Sequence, residues 1–493
     1  MKLKIFNECI FIAFVSGILS ASPSISVSGQ QNKKEIYLAT ELNNVICGYS
    51  RITLSDTTIN GMKVEVMKQT SFSNFFALGH DITQYQKFNY HIDPSTGNFI
   101  YHDSFHQQGE NTMSSSMYVA GDTISIITPD ADDIRLTSLP EGLIIPNTQF
   151  YPYLRNDFVT NKMKSKTYQI FNVRTGKVEQ TTYTKTGEEQ LELIGKFFDA
   201  VVLTQSDSVS GLTSKLWIDK RSGMRLKLIG PNHMSSYLAD ASVIGKIKTG
   251  NWDAIFFSKT NEFISDIQNI SSMKVEARLE IFPSATMEDL NFQGQAFSGT
   301  SDENRTEGVF EISHVRYDGK NAPPFPFATM NKYLDIDPYL EAADMIESDD
   351  SILLALAKEL TKESENLWEA ACSISQWVAE NIEGSILGGT ARQTYDSKSG
   401  LCGSQSMLMT ALCRAAGIPA RSVWGCLYTS EYGGSFGHHA WNEIFMGEGG
   451  WIPVDVTIHE TNFVDSGHIR FGILSSRQTL IKSWDMEILD FSL

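Results

Sequence analysis

The stretch "SGLCGSQSMLMTALCRAAGIPARSVWGCLY", Ser399–Tyr428, holds three of the chain's six cysteines. Met407, Leu408, Ala411, Leu412 and Ala415 recur at helical spacing. Gly417 suits the residue just past a helix end, and Pro419 prevents continuation. The pattern predicts a helix over about 402–416 and then a strand. Cys402 falls in the first helical turn, with Gly400 and Gly403 close by. Unpaired N–H groups and the positive end of the helix dipole favour a thiolate there. Cys413 has apolar neighbours at helical spacing and reads as inert core. Cys426 lies on the following strand without polar company.

A thiolate that does chemistry needs a base and a group to orient that base. "GHHAWNEIF" (Gly437–Phe445) reads as a strand entered through glycine. "GWIPVDVT" (Gly450–Thr457) reads as its hairpin partner across "MGEGG". Adjacent antiparallel strands set a histidine of one beside an aspartate of the other. Cys402, His439 and Asp455 thus form a candidate triad. His438 is the neighbouring alternative, but strand alternation turns it away from His439. His438 and Trp441 are candidate cleft residues, and Arg421 in "PARS" reads as a buried structural partner. A metal trio of His439, Asp455 and His459 would leave Cys402 without a base, so no metal is expected.

The ordered set "SGLCG…ALCRAAGIPAR…GHHAW…GWIPVDVT" resembles the transglutaminase-like superfamily, over roughly residues 345–470. Cys402 matches the family nucleophile, His439 the histidine before a small residue and Trp, and Asp455 the aspartate before x-Thr. The resemblance implies a papain-like fold and acyl transfer from an amide through a Cys thioester, with no cofactor. The animal enzymes carry a tryptophan as oxyanion donor before the nucleophile; "NIEGSILGG" has none. The Cys402 backbone N–H is one oxyanion candidate and Gln393 the other. Val456 stands where the family usually has proline. The layout also resembles secreted bacterial members, which implies a peptidase or amidase acting on an exported protein or peptide. The alternatives are a protein-crosslinking acyltransferase, and a non-catalytic envelope protein- or peptide-binding module with a vestigial triad.

The rest of the chain sets the context. With 493 residues, 41 % hydrophobic and 20 % charged, it is long enough for several globular domains. A net charge of −18 with no basic cluster excludes nucleic acid as a partner. Lys2 and Lys4, the apolar run Ile10–Leu19 and the small residues Ser20–Ser22 read as a signal peptide over 1–22. The expected location is secreted or periplasmic, with no membrane span after signal removal. Without Cys9 an odd number of cysteines remains, so at least one thiol stays free of intramolecular pairing. Residues 30–240 read as a β-rich domain resembling the lipoprotein-carrier half-barrels. "SKLWIDKRSGMRLKLIG" (Ser214–Gly230) forms a hairpin there, and His80, His91, His102 and His106 read as surface residues. Residues 250–322 read as a small β domain in which "MKVEARLEI" alternates strictly and "VFEISHVRY" (Val309–Tyr317) is its companion. Helical stripes begin near Ile352 and Leu367, the second capped by Ser364, within a transglutaminase-like domain over 330–493. The expected fold class is α+β, with β-rich domains preceding a papain-like core.

Overall fold

The computed structural model describes residues 34–493 except 60–61, 78–79, 129–133, 174, 208–212, 231–233, 282–286, 288–289, 303, 328–335, 386–387, 431–432 and 475–480. The expected signal segment 1–22 lies outside the described residues. The N-terminal half forms a 15-stranded sheet. Its first strand, Lys34–Leu42, pairs with Met234–Ala239, so two antiparallel meanders join through the ends of the segment. Ile36, Phe99, Ile124, Phe171 and Trp217 come from strands far apart in that order, yet they share one apolar cluster. The sheet therefore curls around its own core. The hairpin read near Trp217 is present as Thr213–Asp219 and Arg225–Ile229. Gly223 in its loop has φ +73°, a conformation that side chains resist.

His102 departs from the surface reading. His102 is buried, its ring stacked 4.2 Å from that of Tyr90, and burial lowers its pKa to about 4. Surrounding aromatic residues of neighbouring strands cover it, which local polarity does not reveal.

The alternating strand is Ser272–Ile281, and Met273, Val275, Ala277, Leu279 and Ile281 are all buried as period 2 requires. It pairs with Arg305–Ser313; Val315–Arg316 leaves this sheet and pairs with Phe463–Val464. On its other side it pairs with Ile481–Ser492, the last strand of the chain.

The α-helices Ser351–Leu360, Leu367–Asn381, Ala391–Ser397 and Cys402–Ala415 pack around an antiparallel sheet. Asn366, not Ser364, caps the second helix by accepting from the Glu369 N–H at 3.0 Å. Ser364 is still within the preceding turn, its N–H bonded to Thr361 O. In the sheet, Ser435–Phe445 and His468–Ile473 flank the central strand Ala420–Thr429. Leu408, Ala411 and Leu412 of the last helix meet Ala420, Ile444, Ile452 and Val454 in one cluster. A second cluster joins Trp424, Cys426, Phe436 and Phe471 to Val275, Phe310 and Ile488 of the smaller sheet. Each fully buried Leu or Phe contributes roughly 1.5–3 kcal/mol, so both clusters hold the central sheet rigidly.

Candidate active site

The strand Ser435–Phe445 has a gap along one edge. Ser435–Gly437 pair with Phe257–Lys259, and Asn442–Phe445 pair with Trp451–Val454. Between these two partners the start of helix Cys402–Ala415 meets the strand. The Cys402 thiol accepts from the Ala440 backbone N–H, and Ser406 Oγ donates to Trp441 O at 2.8 Å. Asn442 Nδ2 donates to Ser406 O (2.9 Å) and Thr410 Oγ1 (2.8 Å). These bonds are buried, so the register of helix against strand is specified by polar groups that would be left unsatisfied by any slip. The N-cap residue Leu401 offers no side-chain acceptor to the first helical N–H groups. A Cβ at Gly403 would meet nothing within 4 Å, so the first turn is open beside the cysteine.

Asp455 lies just past strand Trp451–Val454, where the hairpin register Asn442↔Val454 runs on towards Trp441. Residues 439 and 441 share a face by alternation, and the carboxylate reaches His439 on that face. His439 Nε2–H donates to Asp455 Oδ2 at 2.5 Å, and the Thr457 N–H donates to Oδ1 at 2.8 Å. Nε2 being committed, Nδ1 is the ring nitrogen left for the sulfur, and Cys402 and His439 are hydrogen-bonded. Burial raises the Cys402 thiol, but the hydrogen bond and charge of His439 outweigh it and the net shift is downward. Burial likewise lowers His439, and the Asp455 carboxylate together with the Cys402 sulfur more than reverses this, to about 10. Asp455 itself is pulled well below the carboxylate range by the two imidazoles against the effect of its burial. The three groups therefore favour thiolate, imidazolium and carboxylate in line.

Sequence reasoning missed His468. Its Nε2–H donates to the same Asp455 Oδ2 at 3.1 Å, and its Nδ1–H donates to Asp465 Oδ1 at 3.0 Å. Carboxylates only accept, so a ring with one on each nitrogen is an imidazolium. Trp441 stacks on His439 (6.0 Å) and meets His468 edge-on (5.2 Å). It fits because residue 425 is glycine: a Cβ there would lie 2.0 Å from Ile469 O and 2.8 Å from Trp441 Cη2. A glycine between Trp424 and Cys426 in this strand marks the close approach of Ile469 and Trp441 there.

His438 is turned from His439 and stacks on Trp424 at 5.9 Å. Gln393 closes a capping box, its Oε1 accepting from the Thr390 N–H at 3.1 Å. Arg421 is buried, bonded to Glu443 at 2.6 Å, and Arg470 holds the other Glu443 oxygen at 2.7 Å. His459 sits in a left-handed turn with φ +61°. Among the described residues, two buried trios have metal-ligating types, His439–Asp455–His468 and Glu460–Asp465–His468. The 2.5 Å His439–Asp455 contact is a hydrogen bond, shorter than the ~3.3 Å between two ligands on a tetrahedral ion with ~2.0 Å bonds. Cys47, Cys372, Cys402, Cys413 and Cys426 are all free thiols. Burial pushes Cys413 and Cys426 far up, which makes them inert beside Cys402.

Residues 354–456 match the model of the transglutaminase-like superfamily. A curated protein of Haemophilus influenzae, for which no activity is named, is 30% identical over 148 residues, 25% of this chain and 40% of that one. This chain thus matches less than half the length of that relative. Among solved structures, one from Cytophaga hutchinsonii, described as a candidate cysteine protease, has TM-score 0.33 and 18% identity, covering 46% of this chain and 93% of that one. The periplasmic domain of TgpA from Pseudomonas aeruginosa has TM-score 0.24 and 19% identity, covering 42% of this chain and 73% of that one. The C-terminal part of the chain is a transglutaminase-like core, and a large β-rich region precedes it.

Proposed function

We propose that the protein is an exported thiol hydrolase that cleaves an amide bond in a protein or peptide, with Cys402, His439 and Asp455 as catalytic residues. The observation that carries this is the line of contacts from the Cys402 thiol through His439 to Asp455 Oδ2, at the open start of a helix. The Cys402 thiolate attacks the amide carbonyl. The tetrahedral oxyanion collapses, the C–N bond breaks, and the His439 proton goes to the leaving amine. The product is an acyl thioester. His439, now neutral, takes a proton from water and the hydroxide attacks the thioester; the C–S bond then breaks, the carboxylic acid leaves, and the proton stays on His439 beside the regenerated thiolate. Asp455 holds the imidazole orientation throughout. The Cys402 N–H is one oxyanion donor in this scheme, and the Gln393 NH₂, whose amide oxygen is held in the capping box, is the candidate for the second. An amine in place of water would give crosslinking instead.

The test uses iodoacetamide and a peptide pool. Labelling at pH 6 is expected at Cys402 alone, and mass spectrometry of the pool is expected to show hydrolysed rather than amine-linked products. Cys402→Ala should fold and lose at least about 10³-fold in turnover, as loss of one member of a coupled triad does. Cys413→Ala should retain it. Equal loss in both variants would overturn the assignment, and absence of labelling in the folded protein would favour a binding module.

A further inference from the structure

We propose that His468 is a positioning residue for this site: it holds Asp455 in place by donating Nε2–H to the carboxylate oxygen that His439 also uses. This rests on the reading that Asp455 orients His439. The geometry is specific. His468 spans two carboxylates, Asp455 at 3.1 Å and Asp465 at 3.0 Å, and is itself buried. Asp465 is anchored in turn: Oδ1 also accepts from the Gly467 N–H at 2.8 Å, and its own N–H donates to Glu460 Oε2 at 2.9 Å. Glu460 is tied back to Asp455 through a pair of backbone bonds, Asp455 N–H to Glu460 O and the reverse. Asp455 is therefore fixed on Oδ1 by Thr457 N–H and on Oδ2 by His468, and a chain of contacts runs from Asp465 to the sulfur.

The bridge to Glu460 fixes the Asp455 backbone but not the orientation of its carboxylate. Without His468 its Oδ2 would keep a single donor, His439, which must itself move protons during turnover. A second, non-reacting donor keeps the carboxylate in plane while the first changes state. The ionisable groups facing His468 are Asp455, Asp465 and, at 3.9 Å, Glu460, with the His439 ring 6.0 Å away. Glu443 and Arg470 line the small cavity that His468, Asp465 and Trp441 also border.

Two substitutions separate the ends of the ring. His468→Gln sets an amide N–H at the Nε2 position, facing Asp455. His468→Asn sets it at the Nδ1 position, facing Asp465. Both remove the same charge, so a difference between them reports the donor to Asp455. The rate constant for iodoacetamide at Cys402 at pH 6 is expected to be about ten- to a hundredfold lower in the Asn than in the Gln variant, the scale of one lost charge-assisted hydrogen bond. Melting temperatures of the two should be similar. Coincident labelling profiles in two folded variants would overturn the proposal. Should either fail to fold, proton spectra of the wild type decide: two downfield imidazole N–H signals lost together in Asp455→Asn support it, and a single one overturns it. If the wild type shows no selective Cys402 labelling at pH 6, the triad reading fails instead.

Discussion

Replacing Asp455 by asparagine changes one atom, and the structure predicts how much that matters. His439 is held at about 10 against an ordinary 6.5, a difference worth about 5 kcal/mol in favour of the imidazolium. Burial opposes that shift, and the Asp455 charge and hydrogen bond are the largest contributions driving it. Asparagine removes the charge. It must also choose between two conflicts. With its oxygen towards the imidazoles, its NH₂ meets the Thr457 N–H that now donates to Oδ1 at 2.8 Å. Reversed, the NH₂ meets two imidazole N–H groups. One donor is orphaned in the first orientation and two in the second, at about 1–3 kcal/mol each. Turnover should fall about 10⁴-fold, the scale of the same change in a Ser-His-Asp triad. The thiolate should form only as pH approaches the ordinary thiol value of 9.0. Iodoacetamide labelling from pH 5 to 10, followed on intact protein by mass spectrometry, reads this directly. The rate at pH 6 should drop by roughly tenfold or more, 1.4 kcal/mol being a factor of ten. Coincident profiles with unchanged turnover would show that Asp455 is only a strand-end residue.

Three further outcomes follow from the same contacts. Burial raises the Glu460 carboxyl from 4.5 to about 8, so the folded state binds this proton more tightly than the unfolded one and stability falls as pH climbs from about 4.5 to about 8; Glu460→Gln should raise the melting temperature at pH 8 and leave it nearly unchanged at pH 4.5, and equal shifts at both would refute this. Gly425→Ala forces a methyl to 2.0 Å from Ile469 O and against Trp441, so calorimetry should show a loss of about 1–3 kcal/mol, with reduced Cys402 labelling as the tryptophan moves off His439. Glu443→Gln leaves Arg421 and Arg470 buried without their shared carboxylate and should cost about 3–5 kcal/mol in urea unfolding; a loss below 1 kcal/mol would mean that water reaches both guanidinium groups.

Local patterns carried the juxtaposition of Cys402, His439 and Asp455. A helix stop at Gly417 and Pro419 placed the thiol, and a period-2 strand followed by a short turn placed the other two. The features that remained illegible depend on partners distant in the chain. His468 meets Asp455 because its strand pairs with Ala420–Thr429, a contact with no local signature. The edge gap that admits Cys402 is bounded on one side by Phe257–Lys259, far upstream, which stops pairing at Gly437. The strand Ser272–Ile281 was evident from alternation, but its C-terminal partner Ile481–Ser492 was not. Ser364 and Asn366 are both good capping types, and only the turn at Thr361–Ser364 decides between them.

The buried charges around the sulfur make physical sense only when taken together. Any one of them alone in an apolar interior would cost several kcal/mol. In sequence along the contacts they alternate: Cys402 thiolate, His439 imidazolium, Asp455 carboxylate, His468 imidazolium, Asp465 carboxylate. Every member has only opposite charges as its immediate partners. Glu460 would break that order, since it lies beside Asp465 and near Asp455, and its value near 8 keeps it protonated at neutral pH. The Cys402 thiol is lowered chiefly by His439, and His439 and Asp455 are in turn held in complementary states by their own partners, His468 among them. A substitution at any link changes the state preferred by the next, so its effect belongs to the chain of contacts and not to the residue replaced.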